Sequence, residues 1–526
     1  MKPSTSQRNN ADPNCIYSLS DTTVTLLTYA AFALVSFLFM YAFSLWISPL
    51  YKNWYGCDAS FFTLAGREIL AGRVPYRDFY DLKGPYFFFI QALGQLIGRG
   101  HTGIFILEVL SLFASLILLY RIGTMFISRR KSLGVIVFFL LAYISMLWGG
   151  NCLEEFCLPL NLLAVFLNLR LFTSDCVVQS REESSERTQD ENDIDIRRLF
   201  MTAMITGICF TVMAFSKITA GAPLTGLVIG VFILLIVRRM PAKLGYYILY
   251  FILGALLAFL PLLIYFGYHN SILRMLYCTF IFGFNRSRDL SHALSMELEI
   301  RLADVIFSLV FILLHMIPGR DKSISKELCI LTLPMSAITY LVLHLGDSYI
   351  YYFITGMPCM LLSLILFLKL YDPLILFKDL KQSLCWLLIF VFVYHYTGES
   401  INTIKTFIHR SDDEFQANYY RDSKNMGLLI PESDRNSVFS FDIDMQWYEI
   451  NNILPCNEYI INLQYFIALE PSIEPELIDF MENTPPKWMI CSNTLQDYLP
   501  QMNEIVTRKY DCIYSTDVGL VYLLKD

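Results

Sequence analysis

Apolar residues run along this chain in blocks of about 20, enough for a helix to cross a hydrocarbon core, and polar breaks separate about eleven of them. They lie near 22–47, 102–127, 132–148, 156–171, 199–216, 218–237, 244–267, 303–317, 328–345, 350–370 and 383–397. The first follows a polar arm, residues 1–21, and lacks a small-residue cleavage site, so it reads as an uncleaved anchor. After residue 398 the pattern changes. Strand-like runs, Val438 to Phe441, Trp488 to Cys491, Cys512 to Tyr514 and Leu520 to Leu524, alternate with helical stretches such as 473–482, and Pro485 and Pro486 precede one strand. The expected fold is mostly α. It is a polytopic membrane protein with about eleven transmembrane helices over residues 22–398, followed by a small α/β domain over residues 399–526.

Composition agrees with the pattern. The chain is 55% hydrophobic and only 17% charged, against roughly a quarter charged in a soluble domain. Forty basic and 47 acidic side chains leave a net charge of −7 with the cations scattered, which excludes nucleic acid as a partner. Short loops rich in Lys and Arg stay cytoplasmic. Arg129, Arg130 and Lys131, then Arg238, Arg239 and Lys243, then Arg320, Lys322 and Lys326, then Lys378 and Lys381 all fall on one side if the spans alternate. The amino terminus is then cytoplasmic, as is the polar, aperiodic loop 172–198, and residues 399–526 lie outside. Thirteen cysteines show no repeated CxxC spacing, so they spell out neither a zinc site nor a disulfide framework. Cys57, Cys152, Cys157, Cys456, Cys491 and Cys512 face the outer side, where one or two disulfides are chemically permitted.

The loop at 48–101 holds the densest chemistry. Asp58, Asp78 and Asp81 are interleaved there with Arg67, Arg73, Arg77 and Lys83. Asp58 opens a helical stretch, 59–71, that closes on Gly72, so it is either an N-cap or an outward-facing functional carboxylate. Asp78 and Asp81, three apart, form an acid/base pair or a cation site, or else pair with Arg77 and Lys83. From Pro85 the aromatic run Tyr86 to Phe89 suits an interfacial helix. Glu154 and Glu155, after Gly149, Gly150 and Asn151, start another span, where acids cap the helix or meet a sugar or cation. Lys83, Lys217, Arg286 and Arg288 are outer cations that either meet a leaving phosphate or lie solvated at the surface. Lys217 sits in an apolar hairpin and Glu108 within a span, where charge is costly unless used. Tyr349, Tyr351 and Tyr352 read as interfacial anchors. Asp58, Asp78 and Glu154 offer oxygen ligands for a divalent cation, although no spacing demands a cofactor.

The run from Asp58 through GREILAGRVPYRDFYDLKGP resembles the first periplasmic loop of the C-type glycosyltransferases, in the bacterial branch similar to protein O-mannosyltransferases and lipid A aminoarabinose transferases. Residues 54–90 resemble it closely. The span layout, Glu154 and Glu155, the Tyr-rich segment before Pro358 and the outer tail extend the likeness loosely over most of the chain. The resemblance implies an enzyme of the bacterial inner membrane that moves a sugar from a polyprenyl-phosphate donor to a glycan, lipid or protein acceptor on the outer face, with inversion and with Asp58 as catalytic base. Ala59 stands where relatives often carry a second acid, and Lys83-Gly84-Pro85-Tyr86 replaces the usual closing sequence, which leaves the acceptor class open. A transporter or flippase of lipid-linked sugars is the alternative from another class. It predicts midplane charges and internal repeats, and no repeat is visible. A polysaccharide polymerase would place its long outer loop late in the chain, whereas here it comes first.

Overall fold

The computed structural model describes residues 21–173, 194–282, 296–316, 324–344, 349–371, 379–410, 413–460, 463–492, 495 and 499–525. The amino-terminal arm, most of the 172–198 loop, and Arg286 and Arg288 lie outside them. Nine helices among the described residues are long and apolar enough to cross a membrane: Thr22–Phe43, His101–Phe126, Leu153–Phe172, Ile196–Ala214, Ile218–Val237, Pro241–Tyr268, Lys326–His344, Ile350–Leu370 and Leu380–His409. The other two expected spans are also helical. Arg129–Met146 opens on three cations, and Ala303–Met316 has only 14 residues.

Burial separates the helices by role. Leu249, Leu253, Leu256, Leu260 and Ile264 on the helix Pro241–Tyr268 are exposed, and only a hydrocarbon solvent makes such a face tolerable. The helix Met357–Leu370 is enclosed along most of its length. Because lipid is as apolar as leucine, helices associate there through close packing rather than apolar burial. Gly226 and Gly230, four apart on Ala222–Val237, make this possible. A Cβ on either would sit 2.3 Å from the Pro334 carbonyl oxygen or 2.7 Å from that of Ile330.

The helix Leu380–His409 continues well past its apolar stretch and leads to Glu414–Leu428 and a four-stranded sheet. Its strands are β1 Val438–Phe441, β2 Trp488–Cys491, β3 Tyr510–Ser515 and β4 Leu520–Leu524, in the order β1-β2-β4-β3. The first pair is parallel, with Val438 opposite Trp488, and the other two are antiparallel. All four strands match the runs read from the sequence. β3 is longer by a few residues because a bulge between Cys512 and Tyr514 lets it keep pairing with β4.

The first loop and the sheet region meet on one face of the bundle. The Tyr80 N–H donates to the Glu458 carbonyl (2.9 Å), His101 Nε2 lies 2.7 Å from Glu449 Oε1, and Arg274 pairs with Glu458. The eleven described cysteines are free, so the permitted disulfides do not form among the described residues.

Substituting Gly226→Leu should overpack the crossing between Ala222–Val237 and Lys326–His344. A loss of about 1–3 kcal/mol is expected, read as a lower midpoint in thermal unfolding of detergent-solubilised protein. An unchanged midpoint would show that the two helices do not meet as closely as described.

Candidate functional site

Gly56, with an extended backbone (φ −110°, ψ 144°), starts the helix Cys57–Leu70, which closes before Gly72 at φ 88°. The helix begins earlier than expected. Gly56 therefore holds the N-cap position, and Asp58 lies inside the first turn with no side-chain capping bond. A carboxylate there is favoured by the helix dipole. It makes no hydrogen bond or ion pair with any described residue. The aromatic segment after Pro85 forms the helix Pro85–Ile97, which packs on Cys57–Leu70, with the Phe62 and Phe87 rings 4.6 Å apart.

The turn before Leu153–Phe172 is the second component. Four consecutive residues have positive φ: Trp148 (39°), Gly149 (81°), Gly150 (95°) and Asn151 (61°). For Trp and Asn such a backbone is held only if the surroundings impose it. They do. The buried Glu108 carboxylate accepts from the Asn151 N–H and from Ser44 Oγ (3.2 Å). The Asn151 side chain donates to the Ala59 carbonyl (3.2 Å) and exchanges two hydrogen bonds with Gln91. The turn is thus tied to the residue immediately after Asp58.

These pieces enclose a small cavity of about 20 Å³, walled by Asp58, Phe62, Lys83, Asn151, Glu154, Lys217, Tyr351 and Tyr352, with Trp46 and Trp148 at one side. Lys217 Nζ is 2.5 Å from Glu154 Oε1 and 3.1 Å from the centroid of the Tyr352 ring. Lys83 Nζ lies 3.8 Å from Asp81 Oδ1 and 5.1 Å from the centroid of the Phe62 ring. Four of the sequence-derived candidates, Asp58, Glu154, Lys83 and Lys217, therefore share one cavity.

The others are placed differently. Asp78 accepts from the Val74 N–H (2.7 Å) and from Arg77, whose hydrogen bond holds its pKa below the ordinary value. Asp81 is buried, and burial pushes its carboxyl up against the opposing pull of Lys83. With separate partners, the two acids do not form the shared face read from their spacing. Glu155 turns away from the cavity toward Glu108 and the Cys152 N–H (3.4 Å). Tyr351 and Tyr352 wall the cavity rather than anchoring at an interface, because the segment Ile350–Gly356 coils into a 3-10 turn with Phe353 and Ile354 in the core. Sequence reasoning singled out Gly149, Gly150 and Asn151 before the two acids but missed Trp46, Trp148 and the tie from the Asn151 side chain to the backbone of Ala59. The run WGGN was the available signal, since paired glycines permit positive φ. Among the described residues no group of three or more His, Cys, Asp or Glu side chains is placed to hold a metal ion.

Apolar spanning helices, a charged first loop folded over their ends and a small sheet on the same face make up a fold that solved membrane proteins share. In particular, the chain is similar to two crystal structures of ArnT from Cupriavidus metallidurans. With the structure bound to undecaprenyl phosphate the TM-score is 0.54 at 11% identity, over 95% of this chain and 98% of that one. With the apo structure the TM-score is 0.56 at 12% identity, over 96% and 98%. The family model described as "Putative competence-induced protein Ccs4 N-terminal domain" matches residues 20–183. No curated protein sequence matches the chain.

Glu108→Leu should leave the Asn151 N–H without its acceptor, at about 1–3 kcal/mol for a buried donor. Glu108→Gln keeps an oxygen there and should lose less. Thermal unfolding of the two variants checks the order, and equal losses would remove the clamp from the account.

Proposed function

We propose that the protein is an integral-membrane glycosyltransferase that moves a sugar from a polyprenyl-phosphate donor to an acceptor on the outer face of a bacterial inner membrane. One observation carries this reading. Of the four charged side chains lining the cavity, Lys217 and Glu154 neutralise each other and Lys83 faces Asp81, while Asp58 alone has no charged or hydrogen-bonding partner among the described residues. A carboxylate held in that state is available as a base. The fold supports the donor class, because the similar ArnT structure binds undecaprenyl phosphate.

In this mechanism the acceptor hydroxyl loses its proton to Asp58 while its oxygen attacks the anomeric carbon from the face opposite the phosphate. The bond from that carbon to the phosphate oxygen breaks, the electron pair leaves with polyprenyl phosphate, and configuration inverts. Lys217 and Lys83, on the cavity wall, meet the phosphate charge; Arg286 and Arg288 belong to the same proposed set. Glu154 orients Lys217. The cavity holds little more than one water, so donor admission requires its walls to move apart. Residues 22–398 form the transferase domain and residues 399–526 an extracytoplasmic domain, with the amino terminus cytoplasmic.

Asp58→Asn should leave the protein folded and inserted, and lower sugar transfer at least about 100-fold, the scale of general-base help. Full transfer by a purified, folded Asp58→Asn protein would remove the catalytic assignment. Donor movement across reconstituted vesicles without a new glycosidic bond would identify a flippase instead. Sidedness has its own test in Cys512, which is exposed on the sheet region. A membrane-impermeant maleimide should label it in intact spheroplasts and lose that label in Cys512→Ser, whereas labelling only after lysis would reverse the orientation.

A further inference from the structure

A second, much larger cavity of about 1,060 Å³ lies beside the first, and nothing above uses it. It is in the size range of ligand sites. Its position follows from the sheet. β1 and β2 are parallel, so Phe441 and Cys491 end at the same edge, and β4 starts opposite Cys491 at Leu520. The segments leaving and entering that edge supply Asp442, Asp444, Ser492 and Asp517 to the cavity. In open α/β sheets the crevice outside the carboxyl ends of the parallel strands is where ligands bind.

Two helices build the side walls. Phe415, Asn418, Tyr419 and Asp422, at spacings of three and four, form one face of Glu414–Leu428, and Gln464 and Tyr465 come from Leu463–Leu469. Phe415 is 73% exposed and Tyr465 37%. Open aromatic faces of this kind suit the apolar face of a sugar ring, and the neighbouring amides and carboxylates suit its hydroxyl groups.

The floor reaches the proposed reaction centre. Cys57 lines this cavity and is bonded in the chain to Asp58, which lines the other. Burial and the neighbouring Asp444 carboxylate push the Cys57 thiol up. Charge narrows the ligand further. Asp422, Asp442, Asp444 and Asp517 line the cavity, and no basic side chain does so among the described residues. Asp422 is paired with Arg421 (3.1 Å). Asp442 has no ion pair: its Oδ1 accepts from the Gln464 N–H (3.4 Å), its Oδ2 is buried with no hydrogen-bond partner among the described residues, its backbone is held at φ 51°, and burial pushes its carboxyl up to about 6. A buried carboxylate oxygen without a donor is costly unless a ligand supplies one.

We propose that this cleft seats the acceptor, and that the acceptor is a hydroxyl-rich glycan bearing at least one free amino group. The proposal rests on the transferase reading, with Asp58 receiving the proton of the hydroxyl presented from the cleft. An ammonium group would meet Asp442 and Asp444, the aromatic rings would cover the sugar faces, and phosphate- or uronate-bearing glycans would be repelled.

Calorimetric titration of the full-length protein in nanodiscs tests this with two probes, the glucosamine tetrasaccharide and its fully N-acetylated counterpart. The amine-bearing probe should bind at least about tenfold more tightly, and Asp442→Asn should remove most of that preference. Asparagine accepts the left-handed backbone of position 442, so the fold is kept. Phe415→Ala, at an exposed position, should weaken both probes. Equal affinity for the two probes, no binding of the amine-bearing probe, or binding unaffected by either substitution would overturn the proposal. The two readings fail separately. Asp58→Asn should bind the amine-bearing probe normally while losing transfer. Normal binding in a wild-type protein that transfers no sugar would overturn the transferase reading, and with it the acceptor role of the cleft.

Discussion

The hydrogen bond from the Asn151 N–H to the buried Glu108 carboxylate is the constraint on which the rest of the site depends. It closes a turn that would otherwise relax, since Trp148 and Asn151 both occupy backbone regions that ordinary side chains avoid. Everything nearby is referred to that turn. The Asn151 amide reaches the backbone beside Asp58, Leu153 starts a helix whose second residue is Glu154, and Glu154 holds Lys217. A carboxylate within a membrane span, expensive in isolation, is retained here because it fixes three other groups at once.

Much of this was legible in the chain, for identifiable reasons. Each apolar run near 20 residues emerged as a helix, because in hydrocarbon a backbone must satisfy itself and a helix does so locally. The four strands were readable because short β-branched and aromatic runs stand out against the polar tail. Asp58 and Lys83 were conspicuous as charges in the long loop after the first span, and Glu154 and Lys217 as charges where apolar spans start. What the pattern could not convey was direction. Glu154 and Glu155 are adjacent, yet about 100° of helical turn sends one to the cavity and the other to Glu108. Asp78 and Asp81 have a helical spacing, but their segment lies outside any helix and the two face separate partners. The cleft beyond β1 and β2 was invisible because its walls come from residues 57, 415–422, 442–445, 464–468, 492 and 517–518, and only the sheet topology brings these together.

The cavity at Asp58 combines strong electrostatics with almost no space. Lys217 is held by a carboxylate and by the face of Tyr352, so its charge is already compensated before any phosphate arrives. In the proposed reaction the donor phosphate would exchange partners with Glu154 and the ring instead of entering an empty positive site.

The helix Leu380–His409 carries a mechanical consequence. Its 30 residues extend roughly 45 Å at about 1.5 Å per residue, about 15 Å more than a hydrocarbon core. Its apolar residues come first, so the excess stands clear of the lipid and acts as a stanchion under the sheet region. Such a strut answers a thinner bilayer by tilting, and a few degrees at its base become ångströms at its tip. Cys57 of the first loop and residues of the sheet region line one cleft, and His101 pairs with Glu449 across the same junction, so any such tilt bears directly on the contacts between them.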